Sequence, residues 1–198
     1  MKLKAHPRYD QFKQWFDDHR ADAGRLAETY HRTAGPTRAT AEEIVDGLGA
    51  FNGGGRWNPP GVMKVVYLSR EPETSMHEAN AKARRYGLPL DMPKVTVAVR
   101  VEVELALDLT LAAIGRILPE TMPNLLAEDW EAVMNAGDEP TAQAMGRAAF
   151  GAGLQGLVVP SSADPKGLNL VIFPQRFAKG CVLRVLNPEL LEKLGYPR

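Results

Sequence analysis

Cysteine is almost absent from this sequence, with Cys181 the only one among 198 residues. An internal disulfide framework is thereby excluded, and the composition suits a reducing cytoplasm. An excess of either charge is also lacking, because 24 Lys and Arg are balanced by 24 Asp and Glu. No global field draws such a chain onto nucleic acid or an anionic membrane, so direct nucleic-acid binding is not expected. No apolar run is long enough to span a membrane, and the opening residues, MKLKAHPRYD, lack the core of a signal peptide. A cytoplasmic location is the expectation. His77 has no Cys, Asp or second His at metal-ligand spacing, so no metal is expected. A G-x-S-x-G elbow, a Walker loop and a dinucleotide fingerprint are all missing. No repeat, low-complexity tract or linker divides the chain. With 44% hydrophobic and 24% charged residues it reads as one globular domain.

The densest stretch of unusual residues runs over 53–78, GGGRWNPPGVMKVVYLSREPETSMHE. Gly53, Gly54 and Gly55 permit backbone angles and close approaches that a Cβ forbids, and they lead into Arg56, Trp57 and Asn58. Pro59, Pro60 and Gly61 close a turn, residues 65–68 form a short apolar run that predicts a buried strand, and Pro72 opens a helix. A loop, a strand and a helix start in succession commonly hold an anionic ligand.

Around this stretch, Phe12, Trp15, Phe16, Leu26 and Tyr30 fall mostly at helical spacing and predict one or two amphipathic helices over residues 9–30. Thr40 with Glu43 matches a capping box for a short helix to residue 48. The helix over 72–86 is expected to bury Met76, Ala79, Ala83 and Tyr86, with Glu78 off that stripe beside Thr74, Ser75 and Lys82. Residues 95–107 alternate Val or Leu with polar residues in a strict period of two and predict a strand. Prolines at 119 and 123 leave 110–135 as a helical turn and a loop. A helix over 141–150, strands near 157–159, 168–173 and 181–186, and a terminal helix over 188–194 complete the chain. Helices and strands mix without βαβ alternation, which predicts an α+β fold around a mostly antiparallel sheet.

Each polar residue of the central stretch has an ordinary reading. Arg56 can hydrogen-bond loop carbonyls as readily as it can reach a phosphate. Tyr67 on a strand is ordinarily core. Glu78 and Lys82 stand at the favoured i,i+4 spacing for an ion pair. Ser161 and Ser162, after Pro160, suit the capping of a turn.

Taken together, the motifs Gly55-Arg56-Trp57-Asn58, Pro60-Gly61, Val66-Tyr67-Leu68-Ser69, His77-Glu78-Ala79, 141–146, Val159-Pro160-Ser161 and Asn169-Leu170 resemble, in order, the RES domain. That resemblance covers residues 30–173 and implies a fold related to ADP-ribosyltransferases. A RES-like domain over 30–198 is expected, with residues 1–29, read from their helical spacing, as a helical segment packed against it. The resemblance further implies the toxin of a type II toxin–antitoxin pair, neutralised by an Xre-type helix-turn-helix antitoxin, alone or in a homo- or hetero-oligomer. Its substrate would be NAD, cleaved at the nicotinamide–ribose bond with water or phosphate as acceptor. The alternatives are transfer of ADP-ribose to a protein, and a module that binds nucleotide or antitoxin without turnover. The family pattern falls on Arg56, Tyr67, Glu78 and Ser161, with Ser162 adjacent, and Asn58 and Arg32 are expected among the residues that hold NAD.

The residue types suit that chemistry. A carboxylate such as Glu78 stabilises an oxocarbenium-like ribose or holds a ribose hydroxyl. Arg56 would anchor the pyrophosphate, Tyr67 would stack on the cationic nicotinamide, and Ser161 would bond substrate or fix the Glu78 rotamer. No base is recognisable beside Ser161, so it is not expected to be a nucleophile.

Overall fold

A computed structural model of the protein describes residues 2–36 and 40–193. The longest strand, β3 (Val95–Asp108), organises the sheet, and its strict alternation is the reason: Val97, Val99, Val101 and Val103 are all buried on one face. Each valine removed from water contributes roughly 1.5–3 kcal/mol, so this face is expensive to expose. β3 pairs antiparallel along most of its length with β1 (Gly24–Ala34), and its end runs parallel to β4 (Gly156–Pro160). From β4 the order continues through β5 (Leu168–Ile172) and β2 (Val66–Ser69) back to β1. The five strands thus close on themselves, with β1 and β2 joined at the single pair His31 and Ser69, while β6 (Val182–Val185) lies beside β3.

The class is therefore α+β with a mostly antiparallel sheet, as expected. The closure departs from the open sheet that an ADP-ribosyltransferase-like fold implies. β1 makes the difference, because it supplies a long second partner for β3 and bends round to meet β2.

The two faces of the sheet carry different cores. On the valine face, Val66 and Leu68 of β2, Val158 of β4, and Leu170 and Ile172 of β5 meet the β3 valines and Tyr30. On the other face, Leu157, Val159, Val171 and Tyr67 meet two helices, α1 (Tyr9–Asp18) and α8 (Thr141–Gly151). Phe12 and Phe16, one turn apart on α1, are fully buried against α8.

Several expected elements differ from those observed. Helix α1 stops at Asp18, and residues 24–30 belong to β1 rather than to a helix. Only Tyr30 of that strand is buried, so no apolar alternation announces it; its stability comes from pairing with β3. The capping box at Thr40 is real, with the Glu43 amide 3.2 Å from Thr40 Oγ1, but α2 (Ala41–Val45) ends early and α3 (Leu48–Gly53) follows. Residues 110–135 hold three short helices, α5 (Ala112–Gly115), α6 (Met122–Ala127) and α7 (Trp130–Asn135), where a turn and a loop were expected. Thr121 and Asp129 cap α6 and α7 with their side chains, and Pro123 sits in the first turn of α6, where a proline costs no hydrogen bond.

Helix α4 (Pro72–Arg85) begins at its proline as expected, but of the predicted stripe only Ala83 is buried, the other buried residues are Thr74 and Ser75, and Tyr86 is 54% exposed. The terminal helix α9 occupies Glu189–Lys193, and Leu194, the expected last residue, lies outside the described residues.

Candidate active site

The glycine loop owes its shape to two close approaches. Gly54 has φ +74°, and a Cβ on Gly55 would stand 2.6 Å from the Tyr67 hydroxyl and 2.9 Å from its ring. The amides and carbonyls of Gly55 and Asn58 bond one another at 2.9 and 3.2 Å, which sets Arg56 and Trp57 at the tip of a tight turn. Trp57 enters the core at 2% exposure, and its carbonyl lies where a Cβ on Gly146 of α8 would be, 1.8 Å away. Gln143 of α8 donates to the Gly55 carbonyl at 3.0 Å, so α8 grips the loop at two points.

Tyr67 supports the loop from the sheet. Its hydroxyl accepts from the Trp57 amide at 2.9 Å and donates to Asn58 Oδ1 at 2.8 Å. Burial pushes the phenol well above its ordinary pKa, so it remains a donor throughout the physiological range. Asn58, expected among the NAD-holding residues, is 0% exposed, and its amide nitrogen is held by the Ala50 carbonyl at 2.8 Å. Its side chain is spent on the loop's own framework.

Arg56 leaves the turn toward α6 and α7. Its Nη1 donates to the carbonyls of Leu125, at 2.8 Å, and Glu128, at 3.1 Å, at the C-terminal end of α6, where carbonyls lack helical partners. The ordinary reading of this arginine is thus part of the truth. Its Nε and Nη2 make no hydrogen bond with the described residues. Burial depresses the guanidinium pKa, and Arg85 adds to the depression, while Glu78, Glu128 and Tyr67 oppose it. Arg56 and Glu78 are therefore near enough for their charges to act on one another, while the neutral Tyr67 lies against Gly55 beside Arg56.

Glu78 is half-buried on α4, and its Oε1 receives two short hydrogen bonds, from Ser161 Oγ and from Asn169 Nδ2, each 2.6 Å. Asn169 is itself oriented by Ser69, whose hydroxyl donates to Asn169 Oδ1 at 2.8 Å. Ser161 also accepts from the amides of Ala163 and Asp164, so it caps the β4–β5 turn while fixing the carboxylate. The sheet register explains the convergence. Ser69 and Val159 both pair with Asn169, and Ser161 stands two residues beyond Val159 on the same face. A second tie, from Thr74 Oγ1 to Asp164 Oδ2 at 2.6 Å, holds the start of α4 over that turn. That hydroxyl, with the Lys166 amide, keeps the Asp164 carboxyl below its ordinary range. Glu78 Oε2 takes no hydrogen bond from the described residues, and the expected ion pair with Lys82 does not form.

Arg56, Tyr67, Glu78 and Ser161 thus share one region, and of the two serines it is the buried Ser161 that touches Glu78, Ser162 being exposed. Arg32 does not join them. His31 is the residue paired with Ser69, so alternation turns Arg32 to the valine face, where it donates to the Ile44 carbonyl at 2.7 Å. Asn169 and Ser69 were not singled out for the site. The available signals were their places in the motifs Val66-Tyr67-Leu68-Ser69 and Asn169-Leu170 and, for Asn169, a lone amide in the apolar strand LNLVI.

A cavity of about 560 Å³ opens elsewhere, lined in part by Lys2, Phe51, Pro60 and Arg147, and none of the four clustered residues borders it. Among the described residues no group of His, Cys, Asp and Glu is arranged to hold a metal, and no helix is long and apolar enough to cross a membrane.

The fold is thus a closed, mostly antiparallel sheet carrying a carboxylate fixed by serine and asparagine, with an arginine on a glycine loop close enough to feel its charge. The chain belongs to the RES domain family, whose model matches residues 25–189. It is 28% identical over 159 residues to the NAD(+) phosphorylase MbcT of Mycobacterium tuberculosis and of Mycobacterium bovis, which spans 78% of this chain and 77% of the relative. The crystal structure of the M. tuberculosis MbcT–MbcA toxin–antitoxin complex superposes with a TM-score of 0.68 at 26% identity, covering 94% of this chain and 98% of the matched one.

Proposed function

We propose that this protein is a cytoplasmic toxin that consumes NAD by breaking its nicotinamide–ribose bond, with inorganic phosphate as the first acceptor and water as the second. The observation that carries the reading is the half-satisfied carboxylate of Glu78, with Oε1 locked by Ser161 and Asn169 and Oε2 left open. When the C–N bond breaks, its electron pair goes to the ring nitrogen and nicotinamide leaves neutral. The positive charge passes to the ribose, where a preset carboxylate stabilises it without reorganising. Attack by a phosphate oxygen at that carbon gives ADP-ribose 1″-phosphate.

Arg56 anchors the pyrophosphate through its open Nε and Nη2, and the ring of the half-buried Tyr67 accepts the nicotinamide. Ser161 holds the Glu78 rotamer and is not a nucleophile. Asn58 orients Tyr67, and Arg32 has no part in the reaction. The unit proposed to carry this chemistry is residues 30–198 extended back to Gly24, because a boundary at residue 30 would cut β1, with the segment before that strand as its flank. The name carried by the relatives favours phosphate over water. The MbcT–MbcA likeness favours a protein antitoxin as partner, and the Xre type remains the one the family implies. Transfer of ADP-ribose to a protein is the second reading, and it differs only in the nucleophile.

Purified protein incubated with NAD and phosphate is expected to release free nicotinamide with ADP-ribose 1″-phosphate as the co-product. Glu78→Gln is expected to lower that rate by about 10²–10³, the size of removing one preorganised charge interaction, with unfolding stability within about 1 kcal/mol of the parent. Release that needs neither phosphate nor water but labels a protein with ADP-ribose would favour the second reading. No release under any of these conditions would leave a binding module.

A further inference from the structure

Helix α4 brings more than Glu78 to this region. Lys82 and Arg85 follow at i+4 and i+7 and therefore lie along the same side of the helix. Arg85 reaches the segment on which Arg56 also rests. Its Cζ is 5.8 Å from the Trp130 ring and its Nη1 is 3.5 Å from Glu131 Oε1, while Arg56 is bonded to the carbonyls of Leu125 and Glu128. Two guanidinium groups thus converge on residues 125–131 from opposite elements, one from the glycine loop and one from α4.

The anions nearby do not match them. Among the described residues no carboxylate lies within ion-pair distance of Arg56, and Glu131 Oε1 already accepts the Tyr86 hydroxyl at 2.8 Å. Glu128, the other carboxylate of the segment, is occupied with Thr141, taking its amide at 3.1 Å and its hydroxyl at 2.8 Å. The consequence is visible in Arg56, whose proton affinity is lowered by Arg85 after burial. Two half-neutralised cations at one spot are unfavourable when the spot is empty and favourable around a dianion.

We propose that Arg85 is a substrate-binding residue that closes with Arg56 on phosphate oxygens, forming a two-guanidinium clamp at the α6–α7 junction. The proposal rests on the reading of the site as one for NAD and phosphate, and it names the ligand chemistry there as phosphate oxygens from one of two sources. The first is the pyrophosphate of the dinucleotide, and the second is the inorganic phosphate that attacks the ribose. In the absence of either, Arg85 rests against Glu131 and Trp130, a partly exposed pair that gives it up at little cost.

The test separates binding from turnover. Thermal melting is followed for the parent protein and for Arg85→Gln with inorganic pyrophosphate or orthophosphate, against chloride at matched ionic strength. The parent is expected to melt higher with at least one of these anions, and Arg85→Gln is expected to lose that rise. In steady-state nicotinamide release, Arg85→Gln should raise one Michaelis constant by about tenfold or more, the effect of losing a charge-assisted hydrogen bond, with kcat within about threefold. A raised constant for NAD assigns the clamp to the pyrophosphate, and a raised constant for phosphate assigns it to the acceptor. Glu131→Gln removes the resting partner of Arg85 and keeps the guanidinium, so it should preserve anion binding. If the two variants lose binding alike, the pair is structural and the clamp is overturned. The clamp is also overturned if no anion raises the parent's melting temperature, or if Arg85→Gln keeps both the rise and both constants. Should the parent release no nicotinamide, the catalytic reading fails while the melting comparison still decides the clamp.

Discussion

Helices α8 and α4 flank the same face of the sheet and bury opposite kinds of surface. On α8, Ala142, Ala144, Met145, Ala148 and Ala149 are all fully buried, and the contact with the glycine loop is so close that Gly146 leaves no room for a methyl group. On α4 the buried residues are Thr74, Ser75 and Ala83, and its central contact is the bonded group of Glu78, Ser161 and Asn169. The α8 side holds the fold by exclusion of water and close packing. The α4 side gives up that apolar burial to keep a carboxylate oriented and partly uncovered. The difference supports placing the proposed chemistry on the α4 side, where polar rather than apolar groups sit at the centre of the helix–sheet contact.

If α8 is the structural side, the largest effect of any single methyl group should be at Gly146. A Cβ there would meet the Trp57 carbonyl oxygen at 1.8 Å and its carbon at 2.8 Å, and backbone cannot swing aside as a side-chain tip does. Gly146→Ala is expected to cost about 3 kcal/mol or more in denaturant unfolding, at the upper end for an overpacked core. Arg56 should move with Trp57, so nicotinamide release should fall in step with the loss of folded protein. A variant that unfolds at the parental midpoint would break the contrast between the two helices.

On the α4 side the expected order is reversed, with function moving more than stability. Ser161→Ala removes the bond to Glu78 Oε1 and the cap on the Ala163 and Asp164 amides. The stability cost should be about 1–3 kcal/mol, and nicotinamide release should drop by about tenfold because Asn169 alone still holds the carboxylate. Both donors act on one oxygen, so combining Ser161→Ala with Asn169→Ala should not be additive in rate. Unchanged release in Ser161→Ala would reduce this serine to a turn cap.

The same division explains what could be read beforehand. β3 and α8 were legible because one face of each is apolar, and apolar burial imposes its period on the residues. β1 was not, because Arg25, Ala27, Thr29 and His31 alternate with residues of which only Tyr30 is buried, and pairing with β3 leaves no trace in its own segment. On α4 a stripe through Met76 and Tyr86 looked like the buried side, yet the helix rests through Ser75 on Thr33, which is itself bonded to Thr96, and through Thr74 on the β4–β5 turn. A polar contact surface selects polar residues, which a hydrophobic pattern cannot find. Arg56, Tyr67, Glu78 and Ser161 were reached through the motif order, whereas the exclusion of Arg32 needed the pairing of His31 with Ser69. Register between strands far apart in the chain is not written in either strand alone.

The smallest expected effect compares the two faces of the sheet through a pair of tyrosines. Tyr67, on the helix face, has its hydroxyl bonded to the Trp57 amide and Asn58, so Tyr67→Phe strands both and should cost about 1–3 kcal/mol at pH 7. Tyr30, on the valine face, is 0% exposed and its hydroxyl makes no hydrogen bond with the described residues, so Tyr30→Phe should change stability by no more than about 1 kcal/mol. Above neutral pH the two converge. Burial raises the Tyr30 phenol to about 12, against the pull of Arg70, from an ordinary value of 10.0, and it raises Tyr67 as well. The folded chain then holds protons that the unfolded chain has released, so the stability these groups contribute is intact below pH 10 and is lost as pH climbs through the folded values. Unfolding followed from pH 9 to 12 should therefore show a downward slope in the parent and a shallower one in Tyr30→Phe. An equal slope in both would mean that Tyr30 ionises in the folded protein as easily as in the unfolded, and that the valine face is wetter than its packing indicates.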